Sequence, residues 1–188
     1  VFLTGLLDDL MSLQPWQKLV GHIAGATIAW YAGVRVMGVS GFSIEGWWTL
    51  PLTLGFLVFC TNSFNLIDGV DGLAAGAGFV AALTMLLAAV VHDNLALALA
   101  TAPLAGCLLG FLRYNLSPAS VFLGDCGSLT IGFMLGCFGV IWSQKSATAL
   151  GMTAPLMALS LPLMDTCLAI LRRAIRLRPI FGADRAHI

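Results

Sequence analysis

The chain has 188 residues, of which 59% are hydrophobic and only 10% charged, and its formal net charge is zero. Its mean hydropathy is +0.95. Soluble domains carry about 25% charge, so these figures exclude an ordinary water-soluble globular domain, and no nucleic acid partner is expected.

Residues 1–7 open inside an apolar run without an initiator Met. They read as the truncated remainder of a first span in a fragment of a longer chain. A signal peptide would need a basic start and a small-residue cleavage site. A span needs about 20 residues at 1.5 Å rise. The next candidate runs over 19–37, with Arg35 near its end, where it can snorkel toward headgroups. Five windows then follow without Asp, Glu, Lys or Arg: 46–67, 72–92, 94–112, 126–144 and 146–164. The expected fold is all-α, a polytopic transmembrane helical bundle of six spans plus the truncated first one. With no linker, low-complexity tract or repeat, residues 1–188 read as a single membrane-embedded catalytic domain.

Successive polar segments must alternate sides. One side receives 8–18, 61–72, 113–127 and 172–188, and the other receives 38–46, 92–94 and 143–149. Lys18, Arg113, Arg172, Arg173, Arg176, Arg178 and Arg185 fall on the first side, against Arg35 and Lys145 on the second. The positive-inside rule makes the first side cytoplasmic. Seven of the nine acids, Asp8, Asp9, Asp68, Asp71, Asp125, Asp165 and Asp184, fall on or nearest that same side. The rule says nothing about carboxylates, so their clustering points to a catalytic face.

The glycine pairs Gly21/Gly25, Gly106/Gly110 and Gly132/Gly136 have the small-xxx-small spacing that lets helices approach closely. Five scattered cysteines lack ligand spacing and read as small buried hydrophobes. His22 reads as a hydrogen-bonded packing residue, and Trp47, Trp48 and Trp142 as an outer aromatic belt. Asp165, roughly 10 Å along a helix from Arg172 at 1.5 Å per residue, divides between support of the site and a structural pair.

Two segments carry the chemistry. Asn62, Asn65, Asp68 and Asp71 recur at three-residue intervals where a span ends, and Gly69 and Gly72 free the backbone to turn. A plain Asx-capped turn would need one or two such residues. The run Val121-Phe122-Leu123-Gly124-Asp125-Cys126-Gly127-Ser128 sets an Asp between glycines just before the next span. Hard oxygen ligands of this kind suit Mg²⁺, with Mn²⁺ as an alternative, bound through one or two protein groups plus substrate phosphates.

Four stretches resemble the polyprenyl-phosphate N-acetylhexosamine-1-phosphate transferases, glycosyltransferase family 4. They are Gly5-Leu6-Leu7-Asp8-Asp9 with Lys18, the NxxNxxDGxDG run from Asn62 to Gly72, Asn115 with the run from Val121 to Ser128, and Arg172-Arg173 through Asp184-Arg185-Ala186-His187. The resemblance implies that a polyprenyl phosphate attacks the β-phosphorus of a UDP-linked amino sugar and releases UMP. It implies Asp125 and Asn65 as Mg²⁺ ligands, Lys18 as a phosphate contact, and Phe122 and Asp71 as the uracil site. Asp8 and Asp9 then match the paired acids, one of which deprotonates or orients the lipid phosphate, with Asp125 completing the catalytic set. Asn62, Asp68, Asn115, Arg185 and His187 are the remaining substrate-binding candidates. The basic tail and its Asp184-Arg185-x-His187 resemble the bacterial undecaprenyl-phosphate GlcNAc-1-phosphate branch, serving cell-wall or surface glycan synthesis at the inner membrane. The alternatives are the phospho-MurNAc-pentapeptide branch, a CDP-alcohol phosphotransferase, whose contiguous DGxxAR array is missing, and a cation-coupled transporter. The expected partners are the UDP-N-acetylhexosamine, undecaprenyl phosphate, membrane lipid and a second copy in a homodimer.

Overall fold

The computed structural model describes residues 1–39, 42–145, 159–160, 163–164, 166–168 and 171. These form six α-helices: α1 (Phe2–Met11), α2 (Pro15–Tyr31), α3 (Thr49–Ile67), α4 (Leu73–Val91), α5 (Leu95–Asn115) and α6 (Gly124–Lys145). A small antiparallel pair, β1 (Gly38–Val39) with β2 (Phe42–Ser43), and a 3₁₀ turn (Gly46–Trp48) join α2 to α3. Among the described residues, 46–67, 73–91, 95–115 and 124–144 are long and apolar enough to cross a membrane. The span expected over 146–164 lies almost wholly outside the described residues.

Local signals explain the helix ends. Pro15 opens α2 at a position whose N–H would have no helical partner, and Gln17 Oε1 accepts the Gln14 N–H at 2.8 Å. The span expected over 19–37 is corrected here. Helix α2 stops at Tyr31, because Gly33 turns the chain at φ +99° and the next residues enter the β pair. Helix α5 runs three residues past its expected end, carrying Arg113 and Asn115 into its last turn.

The core forms around α3. Leu57, Cys60, Phe64 and Ile67 recur at helical spacing and are fully buried. Cys60, Phe64 and Ile67 pack on Ile131 and Leu135 of α6, Ala81 and Met85 of α4, and Leu108 of α5. Since lipid tails are as apolar as leucine, such helices associate through close packing, and two glycine pairs supply it. Gly132 lies so near α3 that a Cβ there would stand 2.7 Å from Cys60 O and 2.9 Å from Phe64 Cβ. Gly136 faces Cys60 and Leu57, Gly21 faces Thr4 of α1, and Gly25 faces Val1 just before it. For the third pair, a Cβ at Gly106 or Gly110 would meet nothing within 4 Å among the described residues. Of the cysteines, Cys60 is buried as expected, whereas Cys107 and Cys167 are exposed.

The two ends of the bundle differ in chemistry. At one end, Trp30 Nε1 donates to Thr49 Oγ1 at 3.2 Å, and Gln144 Nε2 donates to the carbonyls of Gly33 and Arg35 at 2.9 and 2.7 Å. The Arg35 guanidinium stacks 4.3 Å above Trp30. Trp47 and Trp48 are exposed there, as a belt requires, whereas Trp142 is buried and meets the His92 ring edge-on at 5.3 Å. The opposite end gathers the carboxylates.

Gly132→Ala should destabilise the detergent-solubilised protein by about 1–3 kcal/mol, the usual cost of overpacking. Gly106→Ala, with open space around it, should leave the thermal midpoint within a degree or two, and a melting curve for each variant checks the contrast.

Candidate functional site

Asp8 and Asp9 are neighbours on the last turns of α1, so their side chains diverge by about 100° around the helix. Asp8 turns toward α2. Its Oδ2 lies 2.5 Å from Lys18 Nζ, and its Oδ1 accepts the Leu13 N–H at 2.7 Å. Asp9 turns toward α6, where Oδ1 accepts the Asp125 N–H and Oδ2 the Cys126 N–H, both at 2.9 Å. First-turn N–H groups have no partner within their own helix and carry its positive end, so a carboxylate suits both needs.

Glycines make this contact possible. Gly124 sits at φ +65°, and a Cβ there would lie 2.9 Å from Asp9 Oδ2. Gly5, one turn before Asp9, approaches so closely that its Cβ would stand 2.6 Å from Asp125 O.

Asp125 itself points to Lys18, whose Nζ donates to Oδ2 at 2.6 Å. One ammonium therefore bridges a carboxylate of α1 and one of α6. Asp68 follows the last turn of α3, is half-buried and carries no hydrogen bond among the described residues. Burial, and then the charges of Asp125 and Asp9, push its carboxyl up to about 7. Asn65, one turn earlier, donates Nδ2 to Ser128 Oγ at 3.2 Å, and Ser128 Oγ donates to Gly124 O at 3.0 Å. The Asn65 Oδ1 has no hydrogen bond among the described residues.

The turn between α3 and α4 is clamped to the segment 116–123. Asn115 is buried; its Oδ1 accepts the Gly72 N–H at 3.2 Å and its Nδ2 donates to Val121 O at 2.9 Å. Asp71 Oδ2 accepts the Ala119 N–H at 3.0 Å. Gly72 has φ +75°, the left-handed turn that its place before α4 demands. From the clamped segment the Phe122 ring projects 70% exposed, a free face for a flat ligand.

The structure thus joins Asp8, Asp9, Lys18 and Asp125 by direct bonds, sets Asp68 within their electrostatic reach, and ties Asn65 to the same helix turn. Asn115, Asp71 and Phe122 form the adjoining clamp. Asn62 goes elsewhere, into the seam between α2 and α3, with Nδ2 at 2.8 Å from Val58 O and 3.3 Å from His22 Nδ1. His22 is buried there, as its packing role predicts. Arg185, His187, Arg172 and Asp165 lie outside the described residues. Sequence reasoning passed over Ser128, which orients Asn65; its one signal was its position closing the Gly124 to Ser128 run.

The family profile described as glycosyl transferase family 4 matches residues 1–143. Over its full length the chain is 33% identical to a probable undecaprenyl-phosphate N-acetylglucosaminyl 1-phosphate transferase of Bacillus subtilis, covering 54% of that protein. It is 31% identical, over 98% of its length, to a decaprenyl-phosphate N-acetylglucosaminephosphotransferase of Mycobacterium leprae, covering 53% of it. It is 35% identical, over 75% of its length, to a phospho-N-acetylmuramoyl-pentapeptide-transferase of Halalkalibacterium halodurans, covering 48% of it. The chain spans about half the length of the curated relatives it matches.

The high Asp68 value has a consequence for stability. A folded-state pKa of about 7 against an unfolded value of 3.8 means that the native state holds the proton more tightly. The resulting stabilisation is complete below pH 4 and is lost as pH rises through 7. In metal-free protein, Asp68→Asn should flatten this part of the stability–pH curve and raise the melting temperature at pH 8 more than at pH 5, as thermal scans across that range will show.

Proposed function

The chain belongs to glycosyl transferase family 4, and on that footing we propose that it carries the active site of a multi-pass membrane enzyme that moves N-acetylglucosamine-1-phosphate, or a related N-acetylhexosamine-1-phosphate, from its UDP donor to undecaprenyl phosphate and releases UMP. The observation that carries this reading is the bridged cluster at one rim, where Lys18 binds Asp8 and Asp125 while Asp9 and Asp68 stand beside them. Phosphoryl transfer depends chiefly on positioning and on neutralising charge. A rim where α1, α2, α3 and α6 present charged groups together supplies both.

The donor set fits Mg²⁺. Among the described residues four carboxylates stand near one ammonium, and after burial the charges of Asp125 and Asp9 contribute to the upward shift of Asp68. No group of three or more His, Cys, Asp or Glu side chains among the described residues could hold a metal by itself. Mg²⁺ is commonly held through one or two protein oxygens plus substrate phosphates. Asp125 and the Oδ1 of Asn65 would hold it. Once bound it would supply Lewis-acid neutralisation of the diphosphate.

The chain's own groups do the rest. Lys18, already between two carboxylates, can turn its ammonium to a phosphate oxygen with little movement. Phe122 offers a stacking face for uracil, and the free Asp71 oxygen an acceptor for its N–H. In this reading the rim faces the cytoplasm, which Lys18 and Arg113 favour by the positive-inside rule. The inner membrane of a bacterium is the setting that the named acceptors of the relatives support. Full-length coverage by the Bacillus subtilis relative favours the GlcNAc-1-phosphate branch. The phospho-MurNAc-pentapeptide reading stands second, supported by 35% identity over three quarters of the chain. A cation-coupled transporter would place its ionisable groups near the midplane, whereas these gather at one rim.

Asp125→Asn should abolish UMP release and the incorporation of labelled sugar phosphate into polyprenol, in membranes where the variant still inserts and folds. Chelation of Mg²⁺ should do the same to the unaltered protein, reversibly. Undiminished turnover in the variant overturns the assignment.

A further inference from the structure

Asp8 and Asp9 look equivalent in the sequence, but the fold gives them different work. Each Asp9 oxygen already accepts a backbone N–H, one from Asp125 and one from Cys126, both at 2.9 Å. With both oxygens engaged, the Asp9 carboxylate sits at the positive end of α6 and completes first-turn N–H groups that have no partner within that helix. The surrounding backbone is also shaped for this contact. Gly124 adopts φ +65° with no room for a Cβ beside Asp9 Oδ2, and Gly5 brings α1 against the Asp125 carbonyl. Lys18 then closes the ring, binding Asp8 on α1 and Asp125 on α6.

We infer that Asp9 is a positioning residue, which fixes the first turn of α6 and so aims the Asp125 carboxylate. Its effect on transfer passes through Asp125, so the kinetic arm of the test rests on the proposed function. The structural arm does not.

The experiment compares full-length protein with Asp9→Asn and Asp9→Ala. Asn keeps the shape and one acceptor oxygen, whereas Ala keeps neither, so the two should differ. Hydrogen exchange of the peptide over 124–130, without metal or substrate, should quicken about tenfold or more in Asp9→Ala and less in Asp9→Asn. The Mg²⁺ concentration giving half-maximal transfer should rise about 10–100-fold in Asp9→Ala, the usual range for residues that orient a metal ligand. It should rise less in Asp9→Asn, and saturating Mg²⁺ should restore much of kcat in both. Equal loss of transfer in the two variants, with unchanged exchange at 124–130 and an unchanged Mg²⁺ requirement, would overturn the inference. Should the unaltered protein transfer nothing, the proposed function fails, and exchange at 124–130 alone decides whether Asp9 holds α6.

Discussion

Lys18 Nζ lies within 2.6 Å of a carboxylate oxygen from Asp8 and another from Asp125, and the arrangement of the acidic rim follows from that shared contact. Those two oxygens stand at most about 5 Å apart. Without the ammonium they would repel by roughly 3 kcal/mol at an effective dielectric of about 20. With it, each carboxylate has an opposite charge nearer than its like neighbour. The three side chains are 12–25% exposed, shielded enough for the pairing to matter and open enough to admit a ligand. Because they come from α1, α2 and α6, the same ion pairs set the relative heights of three helices. Burial first, and then the charges of Asp125 and Asp9, raise the nearby Asp68 carboxyl.

A chain in lipid must satisfy its backbone within helices, so irregular backbone is confined to the rims. The two rims solve this differently. At the aromatic end the partners are neutral: Thr49, Thr53 and Gln144 take up the free groups of Trp30, Val36, Gly33 and Arg35. Such a rim holds the helices without concentrating charge. At the acidic end, side chains with charge or free lone pairs do the same work, as Asp9 binds the first turn of α6, Asp71 the Ala119 N–H and Asn115 the Gly72 N–H. Asn115 does so while buried, whereas Asp9 and Asp71 complete the backbone from partly open positions.

The spans and the gathering of acids were legible because both depend on composition and counting. Windows free of charge located α3 to α6 to within a few residues, and alternation of sides placed Asp8, Asp9, Asp68 and Asp125 together. The end of α2 was hidden, since residues 32–37 remain largely apolar and hydropathy does not register where helical hydrogen bonding stops. Spacing at Gly106 and Gly110 showed a capacity for close packing but not the presence of a neighbour. The tie from Asp9 to α6 could not be read at all. Its partners are backbone N–H groups, which every residue but proline possesses, 116 and 117 positions away.

The bonded acidic rim and the family profile occupy the same part of the chain. The family profile ends at residue 143, and every bonded member of the acidic cluster lies before that point. Relatives named for N-acetylglucosamine and for muramoyl-pentapeptide match the chain at nearly the same identity, 33% and 35%. They differ in reach, since the first match extends over the whole chain and the second over three quarters of it. Under the proposed function the rim meets a diphosphate and its counter-ion, which present the same charges whichever sugar they carry, and so it has no means of telling the sugars apart. Discrimination needs groups that touch the sugar itself, and the basic tail with Arg185 and His187 follows the residues that the profile matches.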